Sequence, residues 1–366
     1  MKNNKNGGLF AGIIMGLLMV IGGTVFLWWN EGNNVRNIKT TDEVEKNVVE
    51  ITSKSDCSQY SGQLVAVGGK FTVEDKTISD DVFQVSIHSA ALDRVVEIYQ
   101  WEEEEETDSE GDTTSYSYNK VWHEGLIDSS DFHKSGHDNP TSTEYSSDSF
   151  YAQKVRLGNY LLASSQISQM ETDKGFSLSD DNVAIPDGYK GNGKYVTNSE
   201  NLDKPQIGDV RISWKYNGWK EVSLIAKVSG DSFVSYTSEA GKNVNFVTEG
   251  NRTAAEMIEA MRNQDKIMKW LFRLVGFLLL FIGYMSVIAP LTKLLSYVPI
   301  LGNAVNFVFT LTLFLLSLVH ALLVILIAWF RYRPLLSVCL LAVCAVIGAA
   351  LFLLRKNARS SLPQAA

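Results

Sequence analysis

The residues with the most obvious chemistry are few and scattered. His133 and His137 stand four apart, flanked by Asp131 and Asp138. Imidazole and carboxylate are metal ligands, and two histidines one helical turn apart converge on one ion. Gly136 and Pro140 break any helix there and no cysteine is near. The segment therefore reads as a turn in which His137 and Asn139 hydrogen-bond the loop, with no metal bound. Residues 102–112 hold eight acids in eleven positions. They lack the D-x-[DN]-x-[DN]-G spacing of a calcium loop and read as a solvated hairpin tip. There is no G-x-x-x-x-G-K-[ST], H-E-x-x-H, G-x-S-x-G or C-x-x-C, so no catalytic or cofactor-binding residue is expected and the chain does not read as an enzyme. Asn251-Arg252-Thr253 is a glycosylation sequon that matters only in a eukaryotic lumen.

Two further patterns lie in apolar surroundings. Gly8, Gly12 and Gly16 repeat every four residues, and small residues at that spacing let helices approach closely in lipid. Asn303, Asn306, Thr310, Ser317 and His320 fall at intervals of 3, 4, 7 and 3, one stripe of a helix. His320 is the one ionisable residue deep within a predicted span. The stripe can supply hydrogen bonds between helices or a polar path for ions. The first is the leading reading, because conductors carry more intramembrane charge.

The elements that must position these residues follow from where the charges lie. Of 366 residues, 41 are Asp or Glu, all between Glu31 and Asp265. Residues 31–268 also hold 23 of the 33 Lys and Arg, for a net −18. The remaining 128 residues carry ten basic groups and no acid. Soluble surfaces mix both signs, so this segregation excludes a plain cytosolic enzyme. Nucleic-acid binding is excluded too, since it needs a basic face. The implied partners are a lipid bilayer, other proteins and further copies of the chain.

Residues 9–29 contain no charge. As a helix they span roughly 31 Å, the thickness of a bilayer core. The run is long for a signal peptide, and no A-x-A-like cleavage site follows. Three more spans are predicted: residues 269–290, 303–330 and 334–354. Short tails, residues 1–8 and a basic 355–366, flank the set, and residues 291–302 form a loop or interfacial segment. Four spans put both termini on one side and the large domain on the other. Trp28, Trp29, Trp270 and Trp329 then fall at one membrane interface, beside the domain, where tryptophans anchor. Cation counts near the span ends do not decide which side is cytoplasmic. Cys57 is the single cysteine of the polar domain, so no disulfide forms within it.

Residues 30–268 form an acidic, mostly β extramembrane domain. Two β blocks are expected, near 60–123 and 205–248, separated by a long loop at 172–205. Residues 64–73 read as strand, Gly68-Gly69 bend, strand. Residues 94–102 and 116–122 alternate and form a long hairpin, with Tyr116, Tyr118 and Trp122 on one face opposite Tyr99 or Trp101. Gly218, Gly230 and Gly241 punctuate the second block as in a small barrel or sandwich. Helices are expected at 42–51 and 164–171. Another starts at the capping box Thr253-Ala-Ala-Glu256 and runs unbroken into the second span. The fold class is an α+β membrane protein, with four transmembrane helices and one large, mostly-β domain of barrel- or sandwich-like blocks.

Several short segments together resemble one family. They are Asn30-Glu31-Gly32, Val96-Glu97-Ile98-Tyr99-Gln100-Trp101, Tyr116-Ser117-Tyr118-Asn119 with Trp122, Gly136-His137-Asp138-Asn139-Pro140, Gly208-Asp209-Val210-Arg211 and Arg333-Pro334-Leu335. In these the chain is similar to the LUMA (transmembrane protein 43) family, over essentially its whole length. The resemblance implies a multi-pass membrane protein, its large domain lumenal or, in a bacterium, periplasmic, with cytoplasmic termini. In animals it implies the endoplasmic reticulum and inner nuclear membrane. It brings no catalytic residues. The function expected is a membrane scaffold presenting its β domain for protein–protein or self-association. The alternative is a channel or transporter subunit using the Asn303–His320 stripe.

Overall fold

A computed structural model describes residues 5–107, 114–179, 182–295, 302–335, 337, 338 and 342. The described helices are α1 (Lys5–Asn47), α2 (Ser164–Ile167), α3 (Ala254–Leu295) and α4 (Gly302–Tyr332). Three of them are long and apolar enough to cross a membrane: Ala11–Asn47, Ala254–Pro290 and Phe307–Tyr332. The expected fourth span, 334–354, lies mostly outside the described residues, as do the acidic tip at 108–113, residues 1–4 and the whole tail 355–366. The chain divides into two compact units, Met1–Lys39 with Arg262–Ala366, and Thr40–Met261.

Helix α1 has no Pro to stop it and carries on past the apolar run. The expected separate helix at 42–51 is therefore corrected. Its first half is the end of α1, and its β-branched tail forms strand β1 (Val49–Thr52). Helix α3 starts on the expected capping box: Thr253 N donates to Glu256 Oε2 at 2.8 Å, and Glu256 N donates to Thr253 Oγ1 at 3.3 Å. It then runs without a break, holding Pro290 inside it. The compact units divide within both long helices, at Lys39–Thr40 and Met261–Arg262.

The remaining strands run in order along the polar unit. They begin with β2 (Leu64–Val73), β3 (Ile78–Asp80), β4 (Val85–Ile87), β5 (Ala91–Thr107), β6 (Thr114–Glu124) and β7 (Asp148–Tyr151). Next come β8 (Val155–Leu157), β9 (Tyr160–Leu161), β10 (Lys174–Gly175), β11 (Lys190–Gly191) and β12 (Val196–Thr197). The last are β13 (Val210–Tyr216), β14 (Glu221–Ser229), β15 (Ser232–Val234), β16 (Tyr236–Thr237), β17 (Asn243–Val244) and β18 (Phe246–Glu249). One sheet has the order β1-β2-β8-β9-β15-β14-β18, and β2 also pairs with β14. That extra pairing closes β2, β8, β9, β15 and β14 into a small barrel. The other sheet is open, β11-β12-β13-β5-β6, with β10 on β13 and β7 on β5.

The two expected β blocks interleave. Strand β14 joins β2 from Glu221↔Lys70 to Lys227↔Leu64, and β13 joins β5 from Val210↔Ile98 to Tyr216↔Leu92. Each sheet thus takes strands from both blocks. The intervening 172–205 segment contributes β10, β11 and β12 to the open sheet rather than being wholly loop. The Gly68-Gly69 bend is also corrected to one continuous strand. A Cβ on Gly68 would collide with the Ser223 hydroxyl of the neighbouring β14, so glycine here serves close strand approach.

Burial explains the apolar runs. In β2, Val65 and Val67 enter the core shared by the barrel and the open sheet, with Leu92, Ile98, Ile212, Trp214 and Leu224. Leu64 and Ala66 point the other way, onto Val44 of α1 and Met257 and Ile258 of α3. A strand covered on both faces carries no polar alternation.

Candidate functional site: polar groups of the helix bundle and a braced hairpin

In the membrane unit, α1 and α3 meet through glycines. A Cβ on Gly16 would lie 2.7 Å from Gly283 O, and one on Gly283 would lie 2.9 Å from Gly16 O. Seven residues on, a Cβ on Gly23 would lie 3.2 Å from Gly276 O, and one on Gly276 would lie 2.5 Å from the Leu27 side chain. Glycines spaced by seven keep one helical face toward its neighbour, and their missing side chains let the backbones touch. Among the described residues nothing lies within 4 Å of a Cβ added at Gly12, and the side chain position at Gly8 lies outside the described residues. The contrast gives a prediction. Gly16→Leu should prevent normal packing of α1 on α3, lowering the melting temperature in detergent by well over 5 °C. Gly12→Leu should leave it within about 2 °C, since surface substitutions away from contacts change stability by about 0.5 kcal/mol or less.

His320 of α4 sits between the other two helices. Its Nδ1 lies 2.8 Å from Tyr284 Oη of α3, and its Nε2 lies 3.3 Å from Thr24 Oγ1 of α1. Thr24 donates its own hydrogen to Val20 O at 2.7 Å, so toward the ring it can only accept. Nε2–H then donates to Thr24, and Nδ1 accepts from the Tyr284 hydroxyl. One neutral tautomer satisfies all three groups. Ser317 is buried and donates to Leu313 O at 2.7 Å within its own helix. Thr310 is half-buried on the same helix. Asn303 and Asn306 belong to α4, but their side chains lie outside the described residues.

About two turns along α1 lies a charged group that pattern reasoning assigned to the water side. Glu31 is 1% exposed. Arg273 Nε of α3 donates to Glu31 Oε1 at 2.7 Å, and Trp329 Nε1 of α4 donates to Oε2 at 2.9 Å. The nearby Asn30 donates to Lys269 O at 3.2 Å, and Asn37 donates to Asp265 Oδ1 at 2.7 Å. One carboxylate thus ties three helices. The available signal was the position of Asn30-Glu31-Gly32 directly after Trp28-Trp29, still in helical register.

The four tryptophans occupy the same end of the three helices. Trp28 packs on Tyr332 with ring centroids 5.8 Å apart, and Trp29 packs on Phe272 at 6.0 Å. Arg273 covers Trp270 at 4.7 Å, and Trp329 makes the bond to Glu31.

In the polar unit, β5 sends its even residues to the core and its odd residues to the other face. Its buried polar side chains on the core side are Arg94 and Gln100. Asp80 is 0% exposed, accepts from Arg94 Nη1 at 2.7 Å and from Trp214 Nε1 at 2.9 Å. The odd face carries the hairpin register Tyr99↔Trp122, Trp101↔Lys120, Glu103↔Tyr118 and Glu105↔Tyr116. The Tyr99 and Trp122 rings meet at 5.2 Å, while Trp101 takes Lys120 at 4.6 Å and the His137 ring edge at 4.7 Å. At its root Arg211 makes a two-pronged bond to Glu97, with both distances 2.7 Å, and lies over Trp122 at 4.5 Å.

Beyond Tyr99 the hairpin outruns β13, and a loop braces it. Asn139 Nδ2 donates to Trp101 O at 2.8 Å, and Trp101 N donates to Asn139 Oδ1 at 2.7 Å. The side-chain amide stands in for a missing strand and covers the exposed edge. His133 stacks on Tyr116 at 4.0 Å and His137 on Tyr118 at 3.7 Å. Each histidine is thus placed on a different tyrosine, and no cluster able to hold a metal occurs among the described residues. Tyr118 donates to the Glu103 carboxylate, which also accepts from His133 N at 2.6 Å. Desolvation first, then the Glu105 and Glu103 carboxylates, holds the Tyr116 hydroxyl above its ordinary pKa. Tyr118 is raised by desolvation and by its bond to Glu103.

These features lie inside a recognisable family pattern. The family model described as Transmembrane protein 43 matches residues 98–334. The human Transmembrane protein 43 is 28% identical over 357 residues, covering 91% of this chain and 86% of that protein. The rat protein is 27% identical with the same coverage, and the fruit fly Transmembrane protein 43 homolog is 27% identical over 343 residues, 90% of each chain. No solved structure matches.

Proposed function

The chain belongs to the transmembrane protein 43 family, and from that premise we propose that it is a membrane scaffold, its helices an anchor and its β domain a surface for protein–protein or self-association. The observation that carries this reading is the mutual pairing of the intramembrane polar groups. His320 is hydrogen-bonded to Thr24 and Tyr284, and Glu31 to Arg273 and Trp329. Groups that satisfy one another between helices act as glue. The braced hairpin supports the second half of the reading, because rigid backing suits a strand arm that must meet a partner. The large domain is lumenal or periplasmic in this reading and the termini are cytoplasmic. Cysteine placed at exposed Ser117 on the hairpin should crosslink to a second copy or a constant partner in native membranes. A chain recovered only as the uncrosslinked monomer contradicts the proposal. Reporters at the N-terminus and in the 182–205 segment should read opposite sides of the membrane; the same side for both contradicts the assigned topology.

The alternative, a channel or transporter subunit, draws on the same His320 placed at the meeting of three helices. It requires His320 to exchange its partners for water, and it is separated from the scaffold by conductance.

A further inference from the structure

At the tryptophan end of the bundle, α1 and the last turn of α4 line an open-sided cavity of about 340 Å³. Its α1 wall is a single helical stripe that changes character along its length. Val25 comes first, Trp28 and Trp29 next, then Gly32 and Val35, and finally Arg36 and Lys39. From α4 come Arg331 and Tyr332. Gly32 shapes the floor: a Cβ there would lie 2.7 Å from the Tyr332 ring, so glycine lets the hydroxyl end of that ring approach the α1 backbone. Tyr332 is then held against Trp28 at 5.8 Å, with Arg331 5.8 Å from its ring centre.

The three cations are uncommitted. Of the nearby carboxylates, Glu31 is already taken by Arg273 and Trp329, and Asp265 accepts from Asn37. No ion pair to Arg36, Lys39 or Arg331 occurs among the described residues, although Arg94, Arg156, Arg211 and Arg273 all have carboxylate partners. A wall that passes from aliphatic to aromatic to cationic over about 21 Å of helix matches the order acyl chain, interface, headgroup in a bilayer leaflet. We propose that this cavity seats an anionic phospholipid. Its phosphate is held by Arg36 and Arg331 with Lys39 beyond, its glycerol region lies beside Trp28 and Tyr332, and an acyl chain runs down past Val25. Arginine suits the phosphate because its planar fork gives two parallel hydrogen bonds.

The test uses the full chain in mild detergent, titrated with phosphatidylglycerol, phosphatidylcholine or glycerol phosphate and read by native mass spectrometry. Phosphatidylglycerol should be retained at least about tenfold better than phosphatidylcholine. Arg36→Gln with Arg331→Gln should weaken it about 30-fold, since each cation near the surface contributes about fivefold. Arg36→Lys should restore part of the loss, and Lys220→Gln, in the polar unit, should change nothing. Both arginines are exposed, and an unchanged circular dichroism spectrum shows that the variants are folded. Equal retention of the two lipids, or a double variant that binds as the parent does, overturns the proposal. So does glycerol phosphate competing as well as the lipid, which would make the ligand a free phosphate.

Discussion

Asp80→Ala should unfold the β domain at or near physiological temperature. The carboxylate is fully buried and holds Arg94 and Trp214 at once. Removing it leaves a buried guanidinium without its counter-charge and an indole N–H without an acceptor. Breaking such a pair from one side costs about 3–5 kcal/mol, against a total stability of about 5–15 kcal/mol for a typical domain. Asp148 is a poor substitute, since it is exposed and 3.8 Å from Arg94. Asp80→Leu combined with Arg94→Met should recover much of the loss, because no charge is then stranded. Thermal unfolding of the full chain followed by near-ultraviolet circular dichroism checks both. A single variant that melts within about 2 °C of the parent shows that the Asp80 contacts do not hold the core.

Glu31→Ala should have a comparable effect in the other unit. Arg273 then loses its partner at 2.7 Å and Trp329 its acceptor at 2.9 Å, at the level where water gives way to lipid. The expected loss is again about 3–5 kcal/mol, seen as a helix bundle that aggregates or is proteolysed on extraction. Glu31→Gln keeps an acceptor for Trp329 and should be milder. Arg273→Leu added to Glu31→Ala should rescue the bundle, and failure to rescue would mean that Glu31 acts by some route other than neutralising Arg273. Protease sensitivity in detergent and the yield of monodisperse protein report the outcome.

These two residues also show what pattern reading reaches and where it stops. Residues 9–29 and 303–330 were legible as spans because lipid imposes both length and absence of charge, and those constraints are local. The hairpin was legible because alternation over 94–102 and 116–122 has a period of two, and its register duly sets Tyr99 opposite Trp122. The exchange of strands between the two blocks was not legible. Pairings such as Ile225 with Ala66 join residues far apart in sequence, and no local period records them. Glu31 was hidden for a different reason. An acid after a tryptophan pair reads as the first residue in water, whereas α1 keeps its helical turn and brings the carboxylate back against α3 and α4. His133 and His137 had the spacing of metal ligands, yet the loop lays each imidazole on its own tyrosine. His320 was found as the lone ionisable group of its span, but its partners Thr24 and Tyr284 come from other helices and only the packing supplies them.

The most direct test of the anchor reading is electrical. The full chain reconstituted into planar bilayers should pass no current between pH 5 and 8, and His320→Ala and Asn306→Leu should be equally silent, because His320 is bonded to Thr24 and Tyr284 rather than to a water path. A steady unitary conductance in the parent protein that His320→Ala abolishes or alters would contradict the account and give the bundle a transport role.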